Sequence, residues 1–196
     1  MNNTAAIYLA SRSPRRVELL KQIGILCETL PADIDETQLI DESPEHYVIR
    51  LARQKAEACL LRLTDAQRTR PILAADTTVV LAGAVLGKPE NNDDARRMLA
   101  ALSGNSHQVH TAVALAFNNE IEVVLSTTVV QMMAFTPAQI DAYIASGEHA
   151  DKAGSYGIQG AAGAWISHIE GSYTGVMGLP VYETAALLRK HGYCLI

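Results

Sequence analysis

The sequence predicts an α/β domain built on a mixed β-sheet. Apolar runs of strand length alternate with segments whose apolar residues recur at helical spacing. Two long β-runs, 107–117 and 120–133, are separated only by Asn118-Asn119, a good hairpin turn, so these two strands are expected to be antiparallel. The 196 residues, 48% hydrophobic and 19% charged, suit one α/β domain or two small lobes that share a core. We therefore expect one domain over residues 1–196 with a mixed rather than a purely parallel sheet.

The first half of the chain predicts two helices, a short strand and a hairpin. Each helix is expected to begin at a serine followed by proline, because serine caps a first turn and proline fits its first position. The predicted elements are a buried strand over 7–10, a helix from Ser13-Pro14 to Gly24, a helix opened by Ser43-Pro44, and a strand over 72–81 that turns at 82–83 and returns to 87–89.

The second half continues the alternation of strands and helices. A helix from about residue 93 to 102 precedes the long hairpin, and Thr136-Pro137 repeats the signal for a helix start. The remaining predictions are the end of that helix at 146–147, a glycine-rich loop over 148–163, a strand near 164–169, a loop closing at 178–180, and a terminal helix over 181–191.

Composition excludes several classes of protein. The formal net charge of −5 argues against non-specific binding of nucleic acid, which needs a broad basic face. No apolar stretch approaches the roughly 20 residues needed to span a bilayer, and no secretory signal pattern opens the chain. We expect a soluble, cytoplasmic protein that binds neither nucleic acid polymers nor membranes.

The cysteines predict neither a disulfide framework nor a zinc site. Cys27, Cys59 and Cys194 are few and scattered, and none forms a CxxC pair. Each lies among apolar neighbours, so each is expected to be a buried, reduced thiol.

The segment Ser11–Arg16 predicts a site for an anion. A strand, a short polar loop and a helix start aim free backbone N–H groups at one point. The loop adds the hydroxyls of Ser11 and Ser13, and the first helical turn carries Arg15 and Arg16. Two cations there oppose the helix dipole, a cost that makes sense if they face a polyphosphate. The alternative is a solvated basic turn in which Ser13 is an ordinary cap.

Asp76 is the strongest candidate for a functional carboxylate. It follows four apolar residues and precedes another apolar run, and a carboxylate buried there without a partner would carry a large penalty. A catalytic or metal-binding role is favoured over a structural salt bridge. Lys88 lies on the return strand of the same predicted hairpin, so the two could flank one pocket. The alternative for Lys88 is a surface lysine at a turn.

Further candidates lie on a loop, on the second helix and in the glycine-rich segment. Asp33, Asp35 and Glu36 form an acidic group that is either solvated or, with Asp76, suited to Mg²⁺ or Mn²⁺. Lys55 on the second helix either faces solvent or contacts phosphate. Gln159, surrounded by the glycines at 154, 157, 160 and 163, could approach a flat ligand closely.

Several enzyme classes lack their sequence motifs here. No HExxH or other paired metal spacing involves the six histidines, all of which are expected to be non-catalytic. The absence of GxSxG, P-loop and GxGxxG patterns excludes serine hydrolases of that type, P-loop NTPases and simple dinucleotide binders.

Taken together, these segments resemble the Maf family of nucleoside triphosphate pyrophosphatases over almost the whole chain. No one segment would be specific, but the set is. Besides the glutamate at position 36, the matching segments are LASRSPRR (9–16), RLARQKA (50–56), AADTTVVL (74–81), LGKP (86–89), LSGNSHQVHTAVAL (102–115), DKAGSYGIQG (151–160) and GSYTGVMGLP (171–180).

The resemblance implies a fold and an activity. The fold would be Maf/ITPase-like, with a long, twisted mixed sheet, flanking helices and two lobes around a central cleft. The activity would be hydrolysis of a nucleoside triphosphate between its α- and β-phosphates with a divalent cation, which gives a monophosphate and pyrophosphate. A homodimer is a further expectation. So is a nucleotide-pool housecleaning role.

The resemblance also implies roles for particular residues. Asp76 matches the proton acceptor, and Glu36 matches the acidic partner that helps Asp76 hold the metal. Lys55, Lys88 and Arg16 match cations of the phosphate site, with the hydroxyls of the opening loop beside them. The matching hydroxyls belong to Ser11 and Ser13.

Three further positions match substrate selectors of the family: Arg15, Thr77 and Gln159. The set resembles the branch that acts on dTTP and UTP, because a Gln amide can bond one carbonyl and N3–H of uracil while Arg or Thr donates to the other carbonyl. The branch that acts on 7-methyl-GTP has Trp, Gln and Glu there instead. Cytosine is excluded less securely, because the amide can flip. A nucleotide-binding regulator of septum formation is the other alternative, and Arg12 departs from the small residue usual at its position.

Overall fold

Within residues 6–193, which the computed structural model describes, seven strands form one mixed β-sheet. Their order across the sheet is β2-β1-β3-β5-β6-β7, and β4 pairs with β3 beyond this path. The strands are β1 (Ile7–Leu9), β2 (Cys27–Thr29), β3 (Ile72–Leu81), β4 (Ala84–Leu86), β5 (Ser106–Phe117), β6 (Glu120–Met132) and β7 (Ile166–Glu170).

Connection type decides which strands are parallel. β1 pairs in parallel with both β2 and β3, since helices cross over between them. β3, β5, β6 and β7 pair antiparallel, and the β5–β6 turn has Asn118 and Asn119 at φ 52° and 64°, which asparagine tolerates. The predicted mixed sheet with flanking helices is confirmed.

Six helices flank the sheet in the described residues: α1 (Pro14–Gln22), α2 (Pro44–Leu61), α3 (Asn92–Leu102), α4 (Pro137–Ala145), α5 (Tyr173–Val176) and α6 (Val181–Lys190). Proline occupies the first turn of α1, α2 and α4, as predicted. Ser43 caps α2 through its side chain, but Ser13 occupies the cap position of α1 without a side-chain capping bond. None of these helices has the length and apolar character needed to cross a bilayer.

Three apolar clusters hold the helices on the sheet. α2 packs its small buried residues against β1, β3 and β5, while α1 and α6 share a second cluster with the same strands. α3 and α4 form the third cluster with the N-terminal half of β5 and the C-terminal half of β6. The small side chains of α2, Ala52, Ala56 and Cys59, are fully buried, which allows the helix to approach the sheet closely.

The structure differs from the sequence predictions at five places. The return strand of the hairpin, β4, ends at Leu86, so Lys88 lies beyond it and not on it. The strand expected near 164–169 begins at Ile166, because 161–165 forms a 3-10 helix, and a second 3-10 turn occupies 153–155 of the predicted loop. Helix α5 lies within the loop expected to close at 178–180. Cys27 is only half-buried, because β2 is an edge strand, whereas Cys59 is buried as expected. The prediction for Cys194 lies outside the described residues.

Candidate active site

A cleft of about 890 Å³ lies at the middle of β3, between the start of α1 and the loop that precedes β7. It brings together side chains from six separate parts of the chain. All ten residues expected at a functional site line it: Ser11, Ser13, Arg15, Arg16, Glu36, Lys55, Asp76, Thr77, Lys88 and Gln159.

Two carboxylates share one ammonium group inside this cleft. Lys55 Nζ lies 2.5 Å from Asp76 Oδ1 and 2.6 Å from Glu36 Oε1. Lys55 and Asp76 are largely buried, with side-chain exposures of 12% and 11%, whereas Glu36 is 43% exposed. Lys55 therefore faces the cleft and not solvent, which excludes the solvent-facing alternative for this residue.

Strand and helix periodicity explain this arrangement. Successive side chains of a strand alternate between its faces, so Asp76 shares a face with Ala74, which packs against α2. On α2, Lys55 neighbours Ala56 and lies three residues after Ala52, both in that same apolar cluster. Since the small side chains bring helix and strand together, the lysine at the cluster's edge reaches the aspartate where β3 enters the cleft.

Burial and charge shift the pKa values of the two carboxylates in opposite directions. Burial raises the pKa of Asp76, and Lys55 and Arg16 only partly oppose this effect. For Glu36, burial also acts to raise the pKa, but the hydrogen bond and charge of Lys55, with Lys88 and Arg16, outweigh it and lower the pKa overall. One site thus holds a carboxylate that binds protons more readily than usual and one that stays ionised.

Arg16 is held by three hydrogen bonds. Its Nε donates to Gly178 O at 2.7 Å, its Nη1 to Ser11 Oγ at 3.1 Å and its Nη2 to Thr77 Oγ1 at 3.3 Å. Burial lowers its pKa, an effect that the charge of Asp76 opposes. A guanidinium has five N–H donors, so two remain for an anion in the cleft. The opening loop and β3 are joined by this side chain.

Thr77 continues the network into the sheet. Its Oγ1 lies 3.0 Å from Thr111 Oγ1 on β5, and Thr111 donates to Gly175 O at 2.8 Å. Thr111 is fully buried and was not among the residues singled out from the sequence. The available signal was a hydroxyl inside an apolar strand, a group that needs a partner when it is buried.

The glycines around Gln159 allow side chains to pass close to the backbone. A Cβ on Gly160 would lie 1.9 Å from Glu148 Oε2, and a Cβ on Gly157 would lie 2.7 Å from the Lys152 side chain. Glu148 Oε2 also accepts a bond from Ala161 N at 3.0 Å. Because Gly157 and Gly160 have no side chains, Lys152 and Glu148 can pack against the backbone of the loop that carries Gln159.

Only one member of the acidic group reaches the two lysines. Arg12 pairs with Asp33 at 2.5 Å, and both side chains are exposed. Asp35 accepts a bond from the backbone N–H of Thr37 at 2.9 Å, a local turn contact. Glu36 alone of the three lies beside Lys55, and its Oε2 is 4.0 Å from Lys88 Nζ. Arg12 therefore makes an exposed ion pair with Asp33 at the rim of the cleft.

The loop that carries Glu36 is anchored to α2. Tyr47 Oη donates to Glu36 O at 2.9 Å, and burial together with the charges of Asp76 and Glu36 raises the pKa of Tyr47 to about 12. Arg50 makes two bonds to Glu42, at 2.6 and 2.7 Å, and one to Thr37 O at 3.0 Å. Tyr47 was also missed by sequence reasoning, since a tyrosine on an amphipathic helix carries no functional signal.

Glu36 and Asp76 fit a divalent cation that also binds substrate. Magnesium takes oxygen ligands, commonly one or two carboxylates with water and substrate phosphates. Among residues 6–193, no group of three or more His, Cys, Asp or Glu side chains could hold a metal on its own. The ammonium of Lys55 lies between the two carboxylates and offsets their charge. No histidine of the described part lines the cleft.

Comparisons with known proteins found similar sequences over nearly the whole chain. The family model described as "Maf-like protein" matches residues 6–191. A protein of Methylobacillus flagellatus named dTTP/UTP pyrophosphatase is 54% identical over 98% of this chain and 96% of its own length. Proteins of the same name from Nitrosomonas europaea and Bordetella avium are 54% and 50% identical, over 95% and 100% of this chain and 94% and 100% of their own lengths.

A solved structure, that of the Staphylococcus aureus Ham1 protein, is similar in fold. It superposes with a TM-score of 0.50 over 94% of this chain and 98% of its own, at 13% identity. This likeness concerns the fold alone. With the family model over nearly the whole chain and relatives above half identity, the chain belongs to the Maf family.

Proposed function

We propose that this protein is a nucleoside triphosphate pyrophosphatase that hydrolyses dTTP and UTP to the monophosphate and pyrophosphate. The observation that carries the proposal is the pair of carboxylates joined through Lys55 in a cleft that Arg16 also lines. The names of the most similar relatives support the same activity and the same substrates. A pyrimidine nucleotide-pool housecleaning role follows from it.

Asp76 acts as the proton acceptor in this proposal. The oxygen of a water molecule bonds to phosphorus in line with the bridging bond that breaks, pyrophosphate leaves, and one proton of the water passes to Asp76. A raised pKa suits this role, because a carboxylate with a higher pKa is a stronger base than an ordinary aspartate. Lys55 holds the carboxylate in place at 2.5 Å.

The cations of the cleft act on the phosphates. Arg16, Lys55 and Lys88 offset the charge of the triphosphate and of the leaving pyrophosphate. The N-terminus of α1, with Ser11 and Ser13 before it, supplies backbone N–H groups and hydroxyls. Since phosphoryl transfer needs little covalent chemistry from the protein, most of the rate enhancement comes from positioning and charge.

Glu36 and Asp76 would hold Mg²⁺ or Mn²⁺ together with the phosphates. When bound, the cation supplies neutralisation of phosphate charge and a template for the reacting groups. The lowered pKa of Glu36 keeps that ligand ionised at neutral pH. Lys55 would then share the two carboxylates with the cation.

Arg15, Thr77 and Gln159 would read the base. They line the cleft with the phosphate-site residues, so one nucleotide could contact both groups. The same set argues against the 7-methyl-GTP activity, which would favour an aromatic stacking surface and an acid. Intact Asp76, Glu36, Lys55 and Lys88 argue for catalysis over a purely regulatory role in septum formation. Homodimerisation and a cytoplasmic location stay predictions.

Replacing Asp76 tests the proposed role directly. In Asp76→Asn the general base is lost, so kcat for UTP with Mg²⁺ should fall by about 10²–10⁴-fold. Binding of uncleavable α,β-methylene-UTP should stay within a few-fold of the unchanged protein. Asp141→Asn, which alters a surface ion pair with Arg96, is the matched control and should keep full activity. Near-normal turnover in Asp76→Asn would remove Asp76 from the reaction.

A further inference from the structure

Thr111 lies on β5 beneath the cleft, and its hydroxyl hydrogen has a fixed destination. The residue is fully buried. Its Oγ1 lies 2.8 Å from Gly175 O, which can only accept. A hydroxyl has one hydrogen, so the bond to Gly175 uses it. Towards its other neighbour, Thr77, Thr111 therefore acts as an acceptor.

This fixes the polarity of Thr77. The two threonine oxygens are 3.0 Å apart, and since Thr111 has no second hydrogen, Thr77 must donate. Arg16 Nη2, which can only donate, points at the same Thr77 oxygen from 3.3 Å. The single hydroxyl hydrogen of Thr77 is donated to Thr111, and one of the two lone pairs on its oxygen accepts from Arg16. What remains for the cleft is one lone pair.

We propose that Thr111 is a specificity-determining residue that acts through Thr77, by making the Thr77 hydroxyl an acceptor towards the bound base. This rests on the proposed function and deepens it. It also corrects the expectation that Thr77 could donate to a carbonyl of the base, because its hydrogen is directed at Thr111. Thr111 itself touches no substrate and is a positioning residue.

The polarity matches uracil and thymine and opposes cytosine. The imide edge of uracil presents an acceptor, the N3–H donor and a second acceptor. Arg15 only donates, Thr77 as described only accepts, and the Gln159 amide can supply the remaining donor. Cytosine has an unprotonated N3, so its lone pair would face that of Thr77. A fixed acceptor disfavours cytosine relative to uracil, whereas an amide that can flip would accept either base.

The test compares UTP with CTP in Thr111→Val and Thr111→Ser. Valine removes the hydroxyl, frees the hydrogen of Thr77 and lets it donate to N3 of cytosine. Gly175 O still accepts a hydrogen bond from the backbone N–H of Gly178 at 2.9 Å, so the substitution does not leave this carbonyl without a donor. The UTP-over-CTP ratio of kcat/KM should fall about tenfold in Thr111→Val and be retained in Thr111→Ser.

The control is Thr184→Val, which removes an equally buried hydroxyl that has no hydrogen-bond partner among the described residues. It should leave the ratio unchanged. An unchanged ratio in Thr111→Val, or an equal loss in Thr111→Ser, would overturn the proposal. The second result would indicate packing and not hydrogen-bond polarity.

Two further measurements keep the test decisive. Thr77→Val removes the acceptor itself, so it should weaken UTP relative to CTP and lower the UTP-over-CTP ratio, whatever loss both substrates share through the contact between Thr77 and Arg16. An unchanged ratio would contradict the proposal. Binding of α,β-methylene-UTP and α,β-methylene-CTP measures base preference without cleavage. If the unchanged protein cleaves neither dTTP nor UTP, the proposed function fails, while these analogues still measure the preference assigned to Thr111.

Discussion

At the level of single residues, the site depends on one lysine between two carboxylates. Asp76 could be singled out from the sequence, because a carboxylate within an apolar strand must find a partner or carry a large penalty. Lys55 could not be assigned, since a lysine on an amphipathic helix is normally solvated. Its contact with Asp76 follows from how closely α2 approaches β3, a property of packed side chains.

Adjacent acidic residues provide a matched pair for testing Glu36. Glu36→Gln removes a charge beside Lys55 and a proposed metal ligand, so kcat/KM for UTP should fall at least about tenfold and half-maximal activity should need more Mg²⁺. Asp35→Asn should stay near the unchanged protein, because an asparagine oxygen can still accept from Thr37 N. Measuring the UTP hydrolysis rate of both variants over a range of Mg²⁺ concentrations tests this difference. Equal effects of the two substitutions would exclude a specific role for Glu36.

Thr111 and Tyr47 show what the sequence could not reveal about the site. Neither residue type carries a catalytic signal, and each acts through a neighbour: Thr111 through Thr77, and Tyr47 through the backbone of Glu36. Such roles depend on which atoms meet across 34 and 11 residues of chain. Local propensity contains no information on those contacts.

At the level of elements, local signals located most helices and strands. Proline after serine or threonine marked the starts of α1, α2 and α4 correctly, and the paired asparagines marked the β5–β6 turn. The helix α5 was missed because four residues are too short for a helical period to emerge. β7 was placed two residues early, because the 3-10 helix before it has no distinct signal.

The order of the strands across the sheet could not be predicted from the sequence. A hairpin turn shows that β5 and β6 are neighbours, but no residue pattern states that β3 lies between β1 and β5. That order matters for function, because it pairs Thr77 with Thr111 in register and sets Asp76 opposite Ala112. Because Ala112 is small, no bulky side chain at this paired position blocks the Asp76 carboxylate from the cleft.

At the level of the whole molecule, buried titratable groups link stability to pH. His107 on β5 shares a 2.7 Å hydrogen bond with Tyr156, a cleft-lining residue of the loop before β7. Burial lowers the pKa of His107 to about 4, below its ordinary value of 6.5. The unfolded chain therefore binds the proton more tightly than the folded one between these values. Stability should be lost as the pH falls from about 6.5 towards 4.

The size of this loss can be measured by chemical unfolding across that pH range. His107 should contribute up to about 3 kcal/mol of pH-dependent stability. His107→Gln stays neutral and can still bond Tyr156, so its unfolding free energy should vary less between pH 6.5 and 4. Glu42, whose pKa Arg50 lowers to about 2, keeps both proteins acid-sensitive below about pH 4.5. An identical pH dependence in the two proteins would show that His107 titrates normally.

Charge distribution links the whole molecule to its substrate. The chain carries a net charge of −5, yet six cations and only four carboxylates line its cleft. The cations are Arg12, Arg15, Arg16, Lys55, Lys88 and Lys152, and the carboxylates are Asp33, Glu36, Asp76 and Asp151. A local excess of cations in a cleft attracts a polyphosphate despite the overall charge. This excess suits a small anionic substrate.

The most direct test of the account is the rate of pyrophosphate release from separate nucleoside triphosphates. The purified protein is incubated with dTTP, UTP, CTP, GTP or 7-methyl-GTP, in the presence of Mg²⁺ or Mn²⁺. The account predicts that dTTP and UTP are cleaved fastest and give one monophosphate for each pyrophosphate. Comparable or faster release from GTP or 7-methyl-GTP, or release of inorganic phosphate in place of pyrophosphate, would contradict it.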